Sequence, residues 1–273
     1  MRNRRATTPN RARRIAVALA AGLLAATPAS ADSGVTLPYP AVFGRIPAST
    51  LDAGQRRVGD ANLVIEKLDN GNVRMLSESG VEGGARTVAT VELVPVGDGT
   101  QLRPVTQQSR SFDGDGKPLG VLNIDHRISE GTCTRPGEGG EEPNTQRVPL
   151  PETDRVVNVP LNLLFDPLVK GEAETIYFQV LLCGGGPRLM DFQARVVGRK
   201  DGSDGSERLV EVRYGPDFGA IASLLAGSFI PRLSFWFDPA AAEPWLAHRM
   251  PLYSDGPEVF VVRQGVAANT LTE

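Results

Sequence analysis

Apolar and polar residues alternate in short stretches along the first half of this 273-residue chain. At residues 89–93, for example, the sequence Ala-Thr-Val-Glu-Leu changes character at every position. A period of two residues is typical of a β-strand with one buried face. Turn sequences such as Asp-Asn-Gly at residues 69–71 separate these stretches and suit tight hairpins. Residues 62–128 therefore predict an antiparallel meander of at least five strands.

A second antiparallel run is predicted further along, and no alternation of strands with long helices interrupts it. Its strands are predicted at residues 175–182, 189–197, 209–214, 233–237 and 258–263. Before it, residues 160–169 predict a short helix or turn around Leu163, Leu164 and Phe165, which Asp-Pro at 166–167 interrupts. The fold class is mainly β with a few short helices.

One apolar stretch has the period of a helix instead. Phe218, Ile221 and Leu225 follow the potential N-cap Asp217 at helical spacing. The other sides of this segment are apolar too, so a helix at residues 217–228 should be covered on most sides. We therefore predict a curved antiparallel sheet, an unclosed β-barrel, that holds this helix on its concave face.

Residues 1–31 have the features of a signal peptide. Six arginines and no acidic residue precede an apolar run at 15–26, and Ala29-Ser30-Ala31 offers a small-x-small cleavage site. That run is shorter than the roughly 20 residues that a membrane span needs, and no later segment reaches this length. We predict an exported, periplasmic protein that is not transmembrane, with the general secretory route favoured and twin-arginine export, through Arg13-Arg14, left open.

The rest of the chain predicts a single domain with two appendages. Residues 32–53, rich in proline and small residues, are predicted to form an extended arm, and residues 54–265 a β-rich half-barrel domain. Within that domain, residues 129–155 are predicted to be a long Gly-rich loop. Residues 266–273 are predicted to be a tail.

Charge and motifs narrow the function classes. Removal of residues 1–31 lowers the formal net charge from −3 to −9, and an acidic chain without a basic cluster is a poor partner for nucleic acid. The glycine-rich turns lack the spacing of a dinucleotide-binding loop, and the chain has no Gly-x-Ser-x-Gly motif. We predict no cofactor and no catalytic residue. A hydrolase-type enzyme is the least favoured alternative.

The chain has two cysteines, Cys133 and Cys183, and two histidines, His126 and His248. In an oxidising compartment the cysteines predict a disulfide that closes a loop of about 51 residues, a constraint of roughly 4 kcal/mol in the chain-entropy model. Free thiols, or a zinc site shared with the histidines, are less favoured alternatives because the four residues lack the close pairs of zinc modules.

Aromatic residues cluster between residues 229 and 245, either as a packed core or as the walls of an apolar binding site. The residues predicted to contact a hydrophobic ligand are Phe218, Ile221, Leu225, Phe229, Phe235, Trp236 and Trp245.

The order of elements resembles the bacterial lipoprotein carriers of the LolA-like half-barrel type. The stretch from Leu161 to Val262, with Phe235-Trp236-Phe237-Asp238 before a turn and a last strand, is also similar to an uncharacterised exported family of that architecture. The resemblance implies a curved sheet that holds an acyl chain or another apolar molecule. The sequence therefore favours a non-enzymatic envelope protein that binds a lipid or hydrophobic ligand. The alternative is an envelope structural or interaction protein, with a protein partner and a self-packed barrel.

Overall fold

The computed structural model describes residues 35–137, 141–201, 207–217, 233–253 and 256–272. They form fifteen strands, a 3₁₀ turn (Thr153–Arg155) and three short α-helices. The strands are β1 (Leu37–Pro38), β2 (Gly44–Leu51), β3 (Arg57–Lys67), β4 (Val73–Gly80), β5 (Arg86–Val96), β6 (Gln101–Phe112), β7 (Pro118–Asp125), β8 (Glu130–Arg135), β9 (Asn144–Pro149), β10 (Thr175–Leu182), β11 (Arg188–Asp201), β12 (Glu207–Pro216), β13 (Leu233–Phe237), β14 (Trp245–Pro251) and β15 (Glu258–Arg263). The helices are α1 (Leu161–Leu164), α2 (Asp166–Val169) and α3 (Asn269–Thr272). None of the helices in these ranges is long and apolar enough to cross a membrane.

All strands belong to one antiparallel sheet. Its order is β10-β11-β12-β13-β14-β15-β2-β3-β4-β5-β6-β7-β8-β9, and β1 pairs with the start of β6. The two outermost strands, β10 and β9, do not pair with each other, so the prediction of an unclosed antiparallel sheet is confirmed. The helix predicted on its concave face lies, apart from Asp217, outside the described residues.

The two edges of the sheet overlap at a seam. Leu181 on β10 faces away from the inner residue Phe178, yet it packs with Ile124 of β7 in a buried cluster. A Cβ atom on Gly131 of β8 would come within 2.5 Å of the Leu181 side chain. The inner face of β7 and β8 therefore covers the outer face of β10, and the absence of a side chain at Gly131 allows this close approach.

The segment after the 3₁₀ turn fills the space between the overlapping edges. Val156 forms a parallel bridge with Gln179 of β10, and the Asn158 side chain bonds to both backbone groups of Leu181. The buried Gln107 of β6 donates to the Val156 carbonyl at 2.9 Å and accepts from the Asn158 amide at 2.7 Å. Side-chain hydrogen bonds thus supply the pairing that β9 and β10 lack.

The predicted disulfide is confirmed, and it crosses the seam. Cys133 lies on β8, and Cys183 directly follows β10. The two cysteines are 50 positions apart in sequence, and their Cα atoms are 5.6 Å apart. Because both cysteines are oxidised, the alternatives of free thiols and of a zinc site shared with His126 and His248 are wrong.

The main core lies inside the rolled sheet. α1 and α2 contribute buried Leu161, Leu164 and Leu168 to the same cluster as the inner strand residues. Phe165, between the two helices, is fully buried, and its ring centroid lies 5.4 Å from those of Tyr214 and Phe235. Among the described residues, the helical segment that fills the interior of the sheet is therefore residues 161–169.

A second cluster covers the outer face of β13, β14, β15 and β2. It contains Trp236, Leu246 and Phe260, and Leu271 of α3 packs against it. The predicted tail at residues 266–273 thus includes a helix with a buried side chain.

Three regions differ from the sequence predictions. Residues 44–51 of the predicted arm form β2 in the middle of the sheet, and residues 130–135 and 144–149 of the predicted loop form β8 and β9. Pro47 obscured β2, because a proline lacks the N–H that a ladder bond needs. Its carbonyl still accepts from the Gln264 amide at 2.9 Å, so one bond at the end of the β2–β15 ladder is missing. β9 is an edge strand whose residues are mostly exposed, so no apolar alternation marks it. β14 was missed because Trp245, Leu246 and Ala247 are all buried, and both faces of the strand are covered.

Candidate ligand cavity

A cavity of about 710 Å³ lies within the roll at one end of the strands. Most of its walls come from the last residues of β4, β6, β8, β10, β12 and β14 and from the first residues of β5, β7, β11, β13 and β15. Leu63 of β3, Leu161 of α1 and Trp245 at the start of β14 also line it. At this end Thr87 of β5 donates a hydrogen bond of 2.8 Å to the Leu252 carbonyl after β14. Because four strands separate β5 from β14 in the sheet, this bond shows how far the sheet curls.

The cavity exists because inward-facing side chains become smaller along the strands. On β4 the buried Val73 and Met75 are followed at the same face by Ser77 and Ser79. The neighbouring strands contribute further small inward residues at this end: Thr87, Ala89, Ser109 and Ser111. At the other end, Leu37, α1 and α2 fill the interior. The roll is thus packed by its own chain over part of its length and hollow over the rest.

The wall opposite these small residues is aromatic. Phe192, Tyr214, Phe235 and Trp245 line it, and each of them is at most 6% exposed. The ring of His248 stacks near Phe235 at a centroid distance of 5.1 Å and lies 5.7 Å from Trp245. The cavity therefore has one wall of small, partly polar residues and one of apolar rings.

Burial shifts the ionisation of two residues in the aromatic wall. It raises the pKa of the Tyr214 hydroxyl and lowers the pKa of His248 to about 4. His248 is half-buried, but it lines the cavity and lies among aromatic rings, which solvate a cation poorly compared with bulk water. Both side chains are therefore neutral at pH 7.

The low pKa of His248 predicts a loss of stability in mild acid. As the pH falls through 6.5, the unfolded chain takes up the proton before the folded one, so stability decreases down to about pH 4. The full loss approaches about 3 kcal/mol. Urea unfolding between pH 7 and pH 4 should show a smaller decrease for His248→Gln than for the native protein. Equal decreases would contradict this prediction and leave carboxylates as the whole cause.

Two arginines stand where the cavity meets solvent. Arg135 ends β8 and Arg188 begins β11; both are exposed and both also line the cavity. They flank the turn at residues 183–187, where the Arg135 guanidinium donates to the Cys183 carbonyl. The lining carboxylate Glu78 lies 3.6 Å from Arg86, and no described carboxylate forms an ion pair with Arg135 or Arg188. The described residues at the mouth therefore have an excess of positive charge.

The structure brings together only part of the predicted ligand-binding set. Phe235 and Trp245 line the cavity. Trp236, between them in sequence, points to the opposite face, where it packs 5.1 Å from the Phe260 ring. The remaining predicted residues lie outside the described part of the chain: Phe218, Ile221, Leu225 and Phe229.

Sequence reasoning missed the small-residue wall, His248 and the two arginines. One signal was available, because the inward positions of β4 change from Val73 and Met75 to Ser77 and Ser79 within a single strand. Nothing local in the sequence places Arg135 beside Arg188, since the overlap at the seam brings them together. Among the described residues, no group of three or more histidine, cysteine or acidic side chains could hold a metal ion.

No family model matches this chain, and no curated protein matches it. Among solved structures, one similar chain is described as a β-barrel-like protein of a domain of unknown function, DUF1849, from Brucella abortus. The alignment covers 80% of this chain and 94% of that one, with 10% sequence identity and a TM-score of 0.40. These comparisons do not confirm the resemblance to the lipoprotein carriers.

Proposed function

We propose that this protein binds a lipid or another hydrophobic molecule in the cavity of the rolled sheet and carries out no chemistry on it. The main support for this proposal is the cavity, because its volume of about 710 Å³ lies within the range of about 300–1,000 Å³ that is typical of small-molecule sites. Its aromatic wall offers apolar surface, and burying such surface stabilises an apolar guest by roughly 25 cal/mol per Å² before the costs of association.

The disulfide supports the proposed location in the periplasm. A structural disulfide persists in oxidising compartments, and the predicted signal peptide at residues 1–31 would direct the chain there. The second candidate function is an envelope interaction protein. The partial filling of the interior by α1 and α2 supports it, and a failure of the remaining space to take up a ligand would favour it over the first.

Binding of a neutral hydrophobic dye, N-phenyl-1-naphthylamine, to the delipidated protein tests the proposal. We expect the dye fluorescence to saturate as the dye binds. Ala89→Phe should weaken the affinity for the dye at least tenfold, because Ala89 faces the cavity between Ser77 and Ser109 and a ring at this position would occupy the cavity. Thr90→Phe is the matched control, since Thr90 is adjacent on β5 but does not line the cavity. An absence of saturable binding, or equal effects of the two variants, would favour the interaction protein instead.

A further inference from the structure

The distribution of charge around the cavity points to a particular class of guest. Among the residues that the structure describes, the lining contains two arginines at the mouth and one carboxylate, Glu78, which is already close to Arg86. His248, deeper in the aromatic wall, is neutral at pH 7. Positive charge at the mouth is therefore unbalanced, although the whole chain has a formal net charge of −3.

The two guanidinium groups are held near one another by the fold. Arg188 is the first residue of β11 and pairs with Leu182 of β10, while Arg135 reaches across the seam to the Cys183 carbonyl. Because the disulfide joins Cys133 and Cys183, the strand that carries Arg135 is tied to the turn beside Arg188. Two guanidinium groups at one opening can donate several charge-assisted hydrogen bonds to an anionic oxygen cluster.

We infer that the cavity selects amphiphiles with an anionic head group, a carboxylate or a phosphate, which Arg135 and Arg188 bind at the mouth while the apolar part lies against the aromatic wall. This inference rests on the proposed function, and it adds the polarity and orientation of the ligand. An uncharged lipid would leave both arginines without a counter-charge. A molecule with charged groups at both ends would bring one of them against the aromatic wall, where burying a charge is costly.

The test compares ligands that differ only in the head group. Palmitic acid, methyl palmitate and palmitoyl lysophosphatidic acid are used to displace N-phenyl-1-naphthylamine from the native protein at pH 7.4. We expect the two anionic ligands to bind about tenfold more tightly than the ester. This difference is at the lower end of the range for charge-assisted hydrogen bonds, because the arginines are exposed to solvent. Whichever anion binds more tightly identifies the head group, and the preference should shrink at high salt.

Two double variants with the same change in net charge locate the effect. Arg135→Gln/Arg188→Gln should remove the preference for the anions and leave the affinity for methyl palmitate within about twofold, the uncertainty of context-dependent contacts. Arg103→Gln/Arg110→Gln should keep the preference, because these exposed β6 residues do not line the cavity.

The outcomes separate this inference from the proposed function. Equal affinities of acid and ester for the native protein would overturn the head-group inference while the cavity remained a binding site. Loss of the preference in both double variants would also overturn it, because net charge and not the mouth would then be responsible. If dye and ligands all fail to bind, the proposed function fails too.

Discussion

Removal of the Cys133–Cys183 disulfide is expected to lower the free energy of unfolding by about 4 kcal/mol. The cross-link joins residues 50 positions apart in sequence, and its loss restores the corresponding chain entropy to the unfolded state. For a chain of this size the change corresponds to a drop of roughly 10 °C in the melting midpoint. The variant Cys133→Ala/Cys183→Ala, compared with the native protein by urea unfolding under oxidising conditions, measures the loss.

The position of the disulfide predicts where the structure opens. It joins the overlapping edges of the sheet, which have no backbone ladder between β9 and β10. In the variant, amides of β8, β9 and β10 should exchange with solvent faster than those of β3 to β5, which keep both strand neighbours. Reducing agent should bring the native protein to the midpoint of the variant and leave the variant unchanged. A variant within 1 kcal/mol of the native protein would mean that the Gln107 and Leu181 contacts hold the seam by themselves.

Truncation of Phe165 is expected to have a comparable effect. Phe165 is fully buried between α1 and α2, and its ring lies 5.4 to 6.0 Å from the rings of Phe178, Tyr214 and Phe235. Phe165→Ala removes this ring from the centre of the packed interior and should cost about 3–5 kcal/mol. The measurement is the free energy of unfolding in urea, and Phe165→Leu, which keeps most of the volume, should cost only about 1–2 kcal/mol.

Tyr177→Ala provides the matched control for the aromatic truncation. Tyr177 precedes the buried Phe178 on β10 but is 55% exposed, so its loss should change stability by no more than about 0.5 kcal/mol. Phe165→Ala and Tyr177→Ala of similar stability would show that α1 and α2 are not an integral part of the interior. The rolled sheet would then not consist of one packed end and one hollow end.

The packed end and the hollow end have different consequences for function. The packed end, built on Phe165, Leu164 and Leu168, is filled by the chain's own side chains. The hollow end, with small side chains on β4 to β6, leaves Phe235 and Trp245 facing the cavity. Under the proposed function, the fold therefore does not depend on the ligand for its core.

The sequence by itself determined the β class, the antiparallel hairpins and the disulfide. These follow from local information: alternation with a period of two reports a strand with one buried face, and two cysteines in an oxidising setting form one pair. Strands without that alternation were not predicted from the sequence. β9 has almost no buried side chain, and β14 is buried on both faces.

Only the tertiary structure decided the side of the sheet on which each aromatic residue lies and the place where a cavity remains. Phe235 and Trp236 are adjacent in sequence, yet Phe235 faces the cavity and Trp236 packs against Phe260 in the cluster on the opposite face. Arg135 and Arg188 are far apart along the chain, and they line the same cavity because the roll overlaps its own edges. The curvature of the sheet and the overlap of its edges arise from packing between distant strands. The local pattern of residues therefore does not predict them.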